Sequence, residues 1–222
     1  MHPQAFDTPP DRYDRSMLLQ RIQQQFIDSA DLKYQCAQSL APVVEAATTA
    51  VLVSVTGGGK VLACGNGPSA AAAQHFAASF MGRYDRERPE LAAFSLSADA
   101  AVLTGIANDF DARAVYARQV RALGQAGDVL LVLSTSGNSG NLLAAVEAAH
   151  ERDMTVVALT GGRGGRLAQM LRDTDVLVCV PHEVPARILE VHHMVLHCIC
   201  DGVDAQLLGL PDAVSNEQEN PA

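Results

Sequence analysis

Apolar residues recur at helical spacing twice before residue 57, first as Met17, Leu18, Ile22, Phe26 and Ile27, then as Leu40, Val43, Val44, Ala47 and Val51. This pattern predicts two N-terminal helices ahead of Gly57-Gly58-Gly59, each with a stripe that needs a partner. From Lys60 the period changes. Five short apolar runs, KVLACG, AAFSLS, DVLLVLS, MTVVALT and DVLVCV, read as buried parallel strands. Between them, residues about 69–83, 100–123, 139–152 and 164–172 keep helical periodicity. A last helix over about 185–208 carries Ile188, Val191, His192, Val195, Leu196 and Ile199 before Gly209 and Pro211. The alternation predicts a doubly wound α/β domain, one unit over residues 12–208. Residues 1–11 and 209–222 lack an apolar period and read as mobile tails.

Composition narrows the class. The chain has 222 residues, 48% of them hydrophobic and 18% charged, enough for one α/β domain with a sizeable core. Its apolar runs are expected to stop short of a membrane span, and MHPQAFDTPPDRYDR has no basic region followed by an apolar stretch. A cytoplasmic protein without a membrane partner is the expectation. A formal net charge of −9 argues against a broad phosphate-tracking surface, and so against direct nucleic-acid binding. The five cysteines, Cys36, Cys64, Cys179, Cys198 and Cys200, form no CxxC pair and read as buried free thiols.

Ligands of doubly wound sheets bind outside the carboxyl ends of the strands, which singles out two loops. One is Gly65-Asn66-Gly67-Pro68-Ser69; the other is Ser134-Thr135-Ser136-Gly137-Asn138-Ser139, which leads into a helix. Four small hydroxyls in six residues, with a glycine for the turn, place O–H and N–H donors where a phosphate dianion can sit. Neither loop contains lysine, so a single sugar phosphate fits better than a nucleotide triphosphate. Serine and asparagine also cap helices, and for Ser139 taken alone capping is the simpler role.

The blocks GNGPSAAAAQHFAASF, SLSADAAVLTGIANDF, QVRALGQAGDVLLVLSTSGNS, VVALTGGRGG and ARILEVHHMVLHCICD, in this order, resemble the phosphoheptose isomerase branch of the sugar isomerase (SIS) domain family. The resemblance covers about residues 15–208. It implies a flavodoxin-like αβα sandwich with a five-stranded parallel sheet and added N-terminal helices, assembled as a homotetramer with sites between subunits. It also implies that Asn66, Ser69, Ser134, Thr135, Ser136 and Ser139 line a sugar-phosphate pocket, with Asp99 at a further pocket position.

The same resemblance implies a reacting set of a histidine, a glutamate four residues on, and a glutamine and histidine from the last helix, which also hold zinc. Here those positions are His75, Ser79, Leu189 and His197. A serine at ordinary pKa takes no proton without a neighbouring base, and two histidines alone make a weak zinc site. Zinc is therefore expected only if the chain is an isomerase; otherwise no cofactor is. Glu190 lies about 100° from Leu189 around the helix and should face elsewhere. His193 shares the face of His197, so a rearranged set of His75, His193 and His197 is conceivable, although His192 and His193 in such a helix are more often packing residues.

Within the branch, GNG-x-SAA-x-AQHFAAS, VLTGIAND, QVRALG-x-AGDVLL and CDGVDAQLL look most similar to the DnaA initiator-associating proteins, which lack the isomerase glutamate. That resemblance implies a non-catalytic homotetramer that binds the replication initiator DnaA and promotes its assembly at the origin while keeping a sugar-phosphate pocket. Leu207 and Leu208 would then present an apolar pair to the partner, or pack on a neighbouring subunit. The alternative is an isomerase of sedoheptulose 7-phosphate in heptose and lipopolysaccharide synthesis.

Overall fold

Each apolar run forms a strand in the computed structural model, which describes residues 15–209: β1 (Val61–Gly65), β2 (Ala93–Ser95), β3 (Val129–Leu133), β4 (Thr155–Gly161) and β5 (Val176–Val180). They make one all-parallel sheet in the order β2-β1-β3-β4-β5, with Val61 opposite both Ala93 and Val129. Parallel neighbours require crossovers, and helices supply them on both faces. The central strands are therefore buried on both sides, and successive residues feed two cores. Val61, Ala63, Val129, Leu131 and Leu133 meet α1 (Arg15–Thr56), α2 (Pro68–Met81) and α7 (Pro185–Leu208). Leu62, Cys64, Leu130 and Val132 meet α4 (Val115–Leu123), α5 (Gly140–Glu151) and α6 (Gly165–Met170). The remaining helix, α3 (Ala100–Asp109), has no buried residue.

Three expectations need correction. The two N-terminal helices are one, α1, of 42 residues with Pro42 inside it. No breaker lies between the two apolar stripes, and a single proline removes only one ladder bond. Packing of Leu32, Cys36, Leu40, Ala47 and Val51 against the α7 side of the sheet holds both halves in line. By length and composition α1 also contains a stretch apolar enough to cross a membrane, contrary to the reading of its runs as too short, though it packs on the domain along one face. Finally, the helix expected over 100–123 is split into α3 and α4 by a 3₁₀ turn at Ala112–Ala114. Asp99 caps α3 through Val102 N at 3.0 Å, and Asp111 accepts from Arg113 N at 2.7 Å. Short acidic side chains favour such local bonds over helix continuation. The N-terminal tail and the C-terminal tail beyond Gly209 lie outside the described residues.

A buried arginine fixes α2 against α7. The Arg88 guanidinium donates to Ser79 O (3.0 Å) and Phe80 O (2.9 Å) at the end of α2, and its Nε donates to Asp204 of α7. Carbonyls in the last turn of a helix lack intrahelical partners, so the cation satisfies them while it binds the other helix. This clamp holds His75 and His197, which stand on the two helices, in a fixed relation.

Candidate functional site

At the centre of the sheet the chain leaves β1 and β3 in opposite directions, and their following loops meet in the crevice this creates. Asn66 from the first loop and Asn141 from the start of α5 exchange two amide bonds, each 2.9 Å. Asn141 was not among the residues predicted from sequence; an asparagine at the start of the helix after a hydroxyl loop was the available signal. Gly65 allows the close approach, because a Cβ there would meet Ser69 backbone atoms at 2.7 Å. Gly137 has φ +65°, and a Cβ on it would lie 2.0 Å from Gly164 O. The β4–α6 loop thus packs directly on the hydroxyl loop.

Inside that loop, Ser134 Oγ accepts from Gly137 N at 3.1 Å and Ser136 Oγ accepts from Asn138 N at 3.3 Å. Ser69 is buried at the start of α2. Ser139 occupies the N-cap position of α5, yet its side chain makes no cap bond. Its hydroxyl therefore does not do the capping that explains most serines at this position. Thr135 and Ser136 line a cavity of about 360 Å³ with Gly162, Arg163, Glu183 and Ile188. Asp99 is exposed, and its carboxylate serves as the cap of α3.

The second group of residues sits between α2 and α7. His75 Nε2 and His197 Nε2 are 3.0 Å apart, so one carries a proton and the other accepts it. Burial pushes the His197 pKa below the ordinary imidazole value, with the neighbouring His75 and His193 adding to the shift. Ser79 is buried and donates its hydroxyl to His75 O at 3.0 Å. Leu189 presents only hydrocarbon. Of the four positions implied for zinc, two thus offer imidazoles, one a hydroxyl turned to its own helix and one nothing; these four residues do not fit the ion. Glu190 is no substitute, since it pairs with Arg187 at 2.8 Å, and Arg187 also donates to Gln25 of α1.

His192 is fully buried, bonds Thr160 O at 3.1 Å, and is pushed down to about 4 by burial; it is a packing residue, as the sequence suggested. Leu207 is 39% exposed and Leu208 is half-buried. All five cysteines are free, but Cys179 and Cys198 are only half-buried.

Comparison with known proteins gives this arrangement its context. Residues 25–161 match the family described as SIS domain. A phosphoheptose isomerase of Methylibium petroleiphilum is 60% identical over 196 residues, spanning 88% of this chain and 98% of that protein. One from Azoarcus sp. is 54% identical over 195 residues, spanning 88% and 99%. The solved phosphoheptose isomerase of Neisseria gonorrhoeae superposes with a TM-score of 0.81 at 49% identity, over 85% of this chain and 99% of that one. For the enzyme of Francisella tularensis the TM-score is 0.79 at 40% identity, over 84% and 97%. These likenesses overturn the expectation of a non-catalytic, DnaA-binding protein and favour the isomerase alternative. That expectation leaned on Ser79 and on short blocks similar to the initiator-associating group; one altered side chain carries no information about which partner an outer surface binds, and the blocks are outweighed by likeness to isomerases over nearly the whole chain. The chain belongs to the SIS domain family, in its phosphoheptose isomerase branch.

Proposed function

We propose that this chain interconverts a ketose phosphate of the sedoheptulose 7-phosphate type and its aldose phosphate. The phosphate would sit on the Ser134–Ser139 loop, with Asn66 and Ser69 beside it, and Asp99 would join the pocket through assembly. The observation that carries the reading is the His75–His197 pair, converging at 3.0 Å with His197 held toward its neutral form. A neutral imidazole can accept the proton from the carbon next to the carbonyl while its partner's N–H donates to the carbonyl oxygen, giving an enediol. Return of the first proton to the former carbonyl carbon, with the hydroxyl proton on its neighbour passing to the imidazole that gave up its N–H proton, gives the aldose and restores both rings with no net change in protons. Ser79 takes no proton in this scheme. The names of the relatives support the substrate class.

A homotetramer is part of the same reading. Leu18, Leu19, Ile22, Phe26 and Ile27 are all exposed on α1, α3 has no fully buried residue, and an apolar cleft of about 390 Å³ runs between α1 and α7 past Leu40, Val44 and Met194. Contiguous apolar surface of this kind marks an interaction site.

The test is proton NMR of chelator-treated protein with sedoheptulose 7-phosphate in D₂O. Aldose product, with deuterium entering next to the carbonyl faster than in the His75→Ala, His197→Ala double variant, is the expected result. Exchange no faster than in that variant overturns the proposal.

A further inference from the structure

The cavity of about 360 Å³ beside the hydroxyl loop holds more chemistry than proton transfer by the histidine pair uses. Besides Thr135 and Ser136 it is lined by Arg163, from the loop after β4, and by His182 and Glu183, from the loop after β5. Arg163 and Glu183 carry opposite charges and share the cavity. Among the described residues, neither side chain makes an ion pair or a hydrogen bond. Two charged groups left open in one cavity, and not joined to each other, leave room for a ligand between them.

Glycines bring the carboxylate down to the backbone. Gly162 has φ +62°, and its N–H lies 3.0 Å from both Val180 O and His182 O, which ties the end of β4 to the loop after β5. Both Glu183 carboxylate oxygens lie 3.2 Å from the point a Gly162 Cβ would occupy, so a side chain there would crowd them. At Gly161 a Cβ would lie 2.9 Å from Thr135 O, so the floor is bare backbone as far as the hydroxyl loop. The His182 ring is oriented as well. Its Nδ1 accepts from Val184 N at 3.0 Å, which puts the ring proton on Nε2. The cavity thus offers a carboxylate that only accepts, an imidazole N–H that donates, and a guanidinium.

We propose that Glu183, with His182 beside it, determines specificity by binding hydroxyls along the carbon chain of the sugar phosphate. This rests on the reading of the Ser134–Ser139 loop as the phosphate seat. A carboxylate with both oxygens open accepts from two neighbouring hydroxyls at once and repels a phosphate dianion. The phosphate end is therefore directed to the hydroxyl loop, with Arg163 as its charge partner, and the polyol part to Glu183. Ile188, which lines the same cavity, is the neighbour on α7 of Leu189, a position of the implied reacting set. Glu183 binds and orients; it moves no proton.

Calorimetric titration of the full chain with sedoheptulose 7-phosphate, and separately with inorganic phosphate, tests this, with a thermal melt for each variant. Glu183→Gln and Glu183→Ala should each weaken the sugar phosphate at least about tenfold, as loss of a hydrogen bond to a charged group does, and leave inorganic phosphate unchanged. Equal affinity for the sugar phosphate in a folded variant of either kind overturns the proposal. So does an equal weakening of both ligands, which would mean that Glu183 only shapes the loop. Binding is read without turnover, so a sugar phosphate held by the parent without deuterium exchange sinks the isomerase reading alone. A parent that binds no sugar phosphate sinks both.

Discussion

Ser79 shows how much one residue can alter a site without altering its frame. Its hydroxyl is buried and satisfied by the His75 carbonyl, so the serine is part of α2 rather than part of the pocket chemistry. A carboxylate there, one helical turn from His75, would face the same side as the imidazole and could accept a proton. The double variant Ser79→Glu, Leu189→Gln should therefore exchange deuterium into sedoheptulose 7-phosphate faster than the parent by about 100-fold, at the lower end of what positioned acid–base groups supply. An unchanged rate would mean that the imidazole pair already meets the need for a base.

At the scale of elements, the relation between α2 and α7 decides whether His75 and His197 meet at all. Arg88 is the fastener, since its guanidinium binds the last turn of α2 and the Asp204 carboxylate together, and both side chains are buried. Removing one partner of a buried pair strands the other charge. Arg88→Met should lower unfolding free energy by about 3–5 kcal/mol in urea titrations, and the paired change Arg88→Met, Asp204→Leu should recover a large share of it. Failure of the second substitution to recover stability would show that the bonds to the α2 carbonyls, not the ion pair, hold the helices.

For the whole molecule, the chain taken singly is left with an apolar face. The first third of α1 exposes Leu18, Leu19, Ile22, Phe26 and Ile27, and α3 covers its Leu103 and Ile106 only in part. On the proposed homotetramer, replacing Ile22 and Phe26 with lysine should shift the sedimenting species from tetramer to smaller ones in analytical ultracentrifugation. The circular dichroism should stay close to that of the parent, because neither side chain enters either core. A sedimentation profile identical to that of the parent would place the subunit contacts elsewhere.

Strand number, the parallel α/β class and the position of the two loops after β1 and β3 were all legible in the chain, because each is a local signal. Apolar runs of strand length between amphipathic stretches admit few arrangements, and a hydroxyl-rich turn before a helix is recognisable from its own residues. The span of α7, read as about 185–208, was legible for the same reason, with glycine after its end. The junction in α1 was not: whether two apolar stripes form one helix or two depends on the groove they pack into, here along α7 and β5. Nor could the chain alone show that Ser139 leaves α5 uncapped by its side chain, that Asn66 is held by Asn141, or that Arg88 joins two helices distant in sequence. Contacts between residues 75 and 116 positions apart follow from the folded arrangement of elements, which no local pattern encodes. The histidines follow the same division: their i, i+4 spacing on α7 is written in the sequence, while the meeting with His75 exists only once α2 and α7 are packed together.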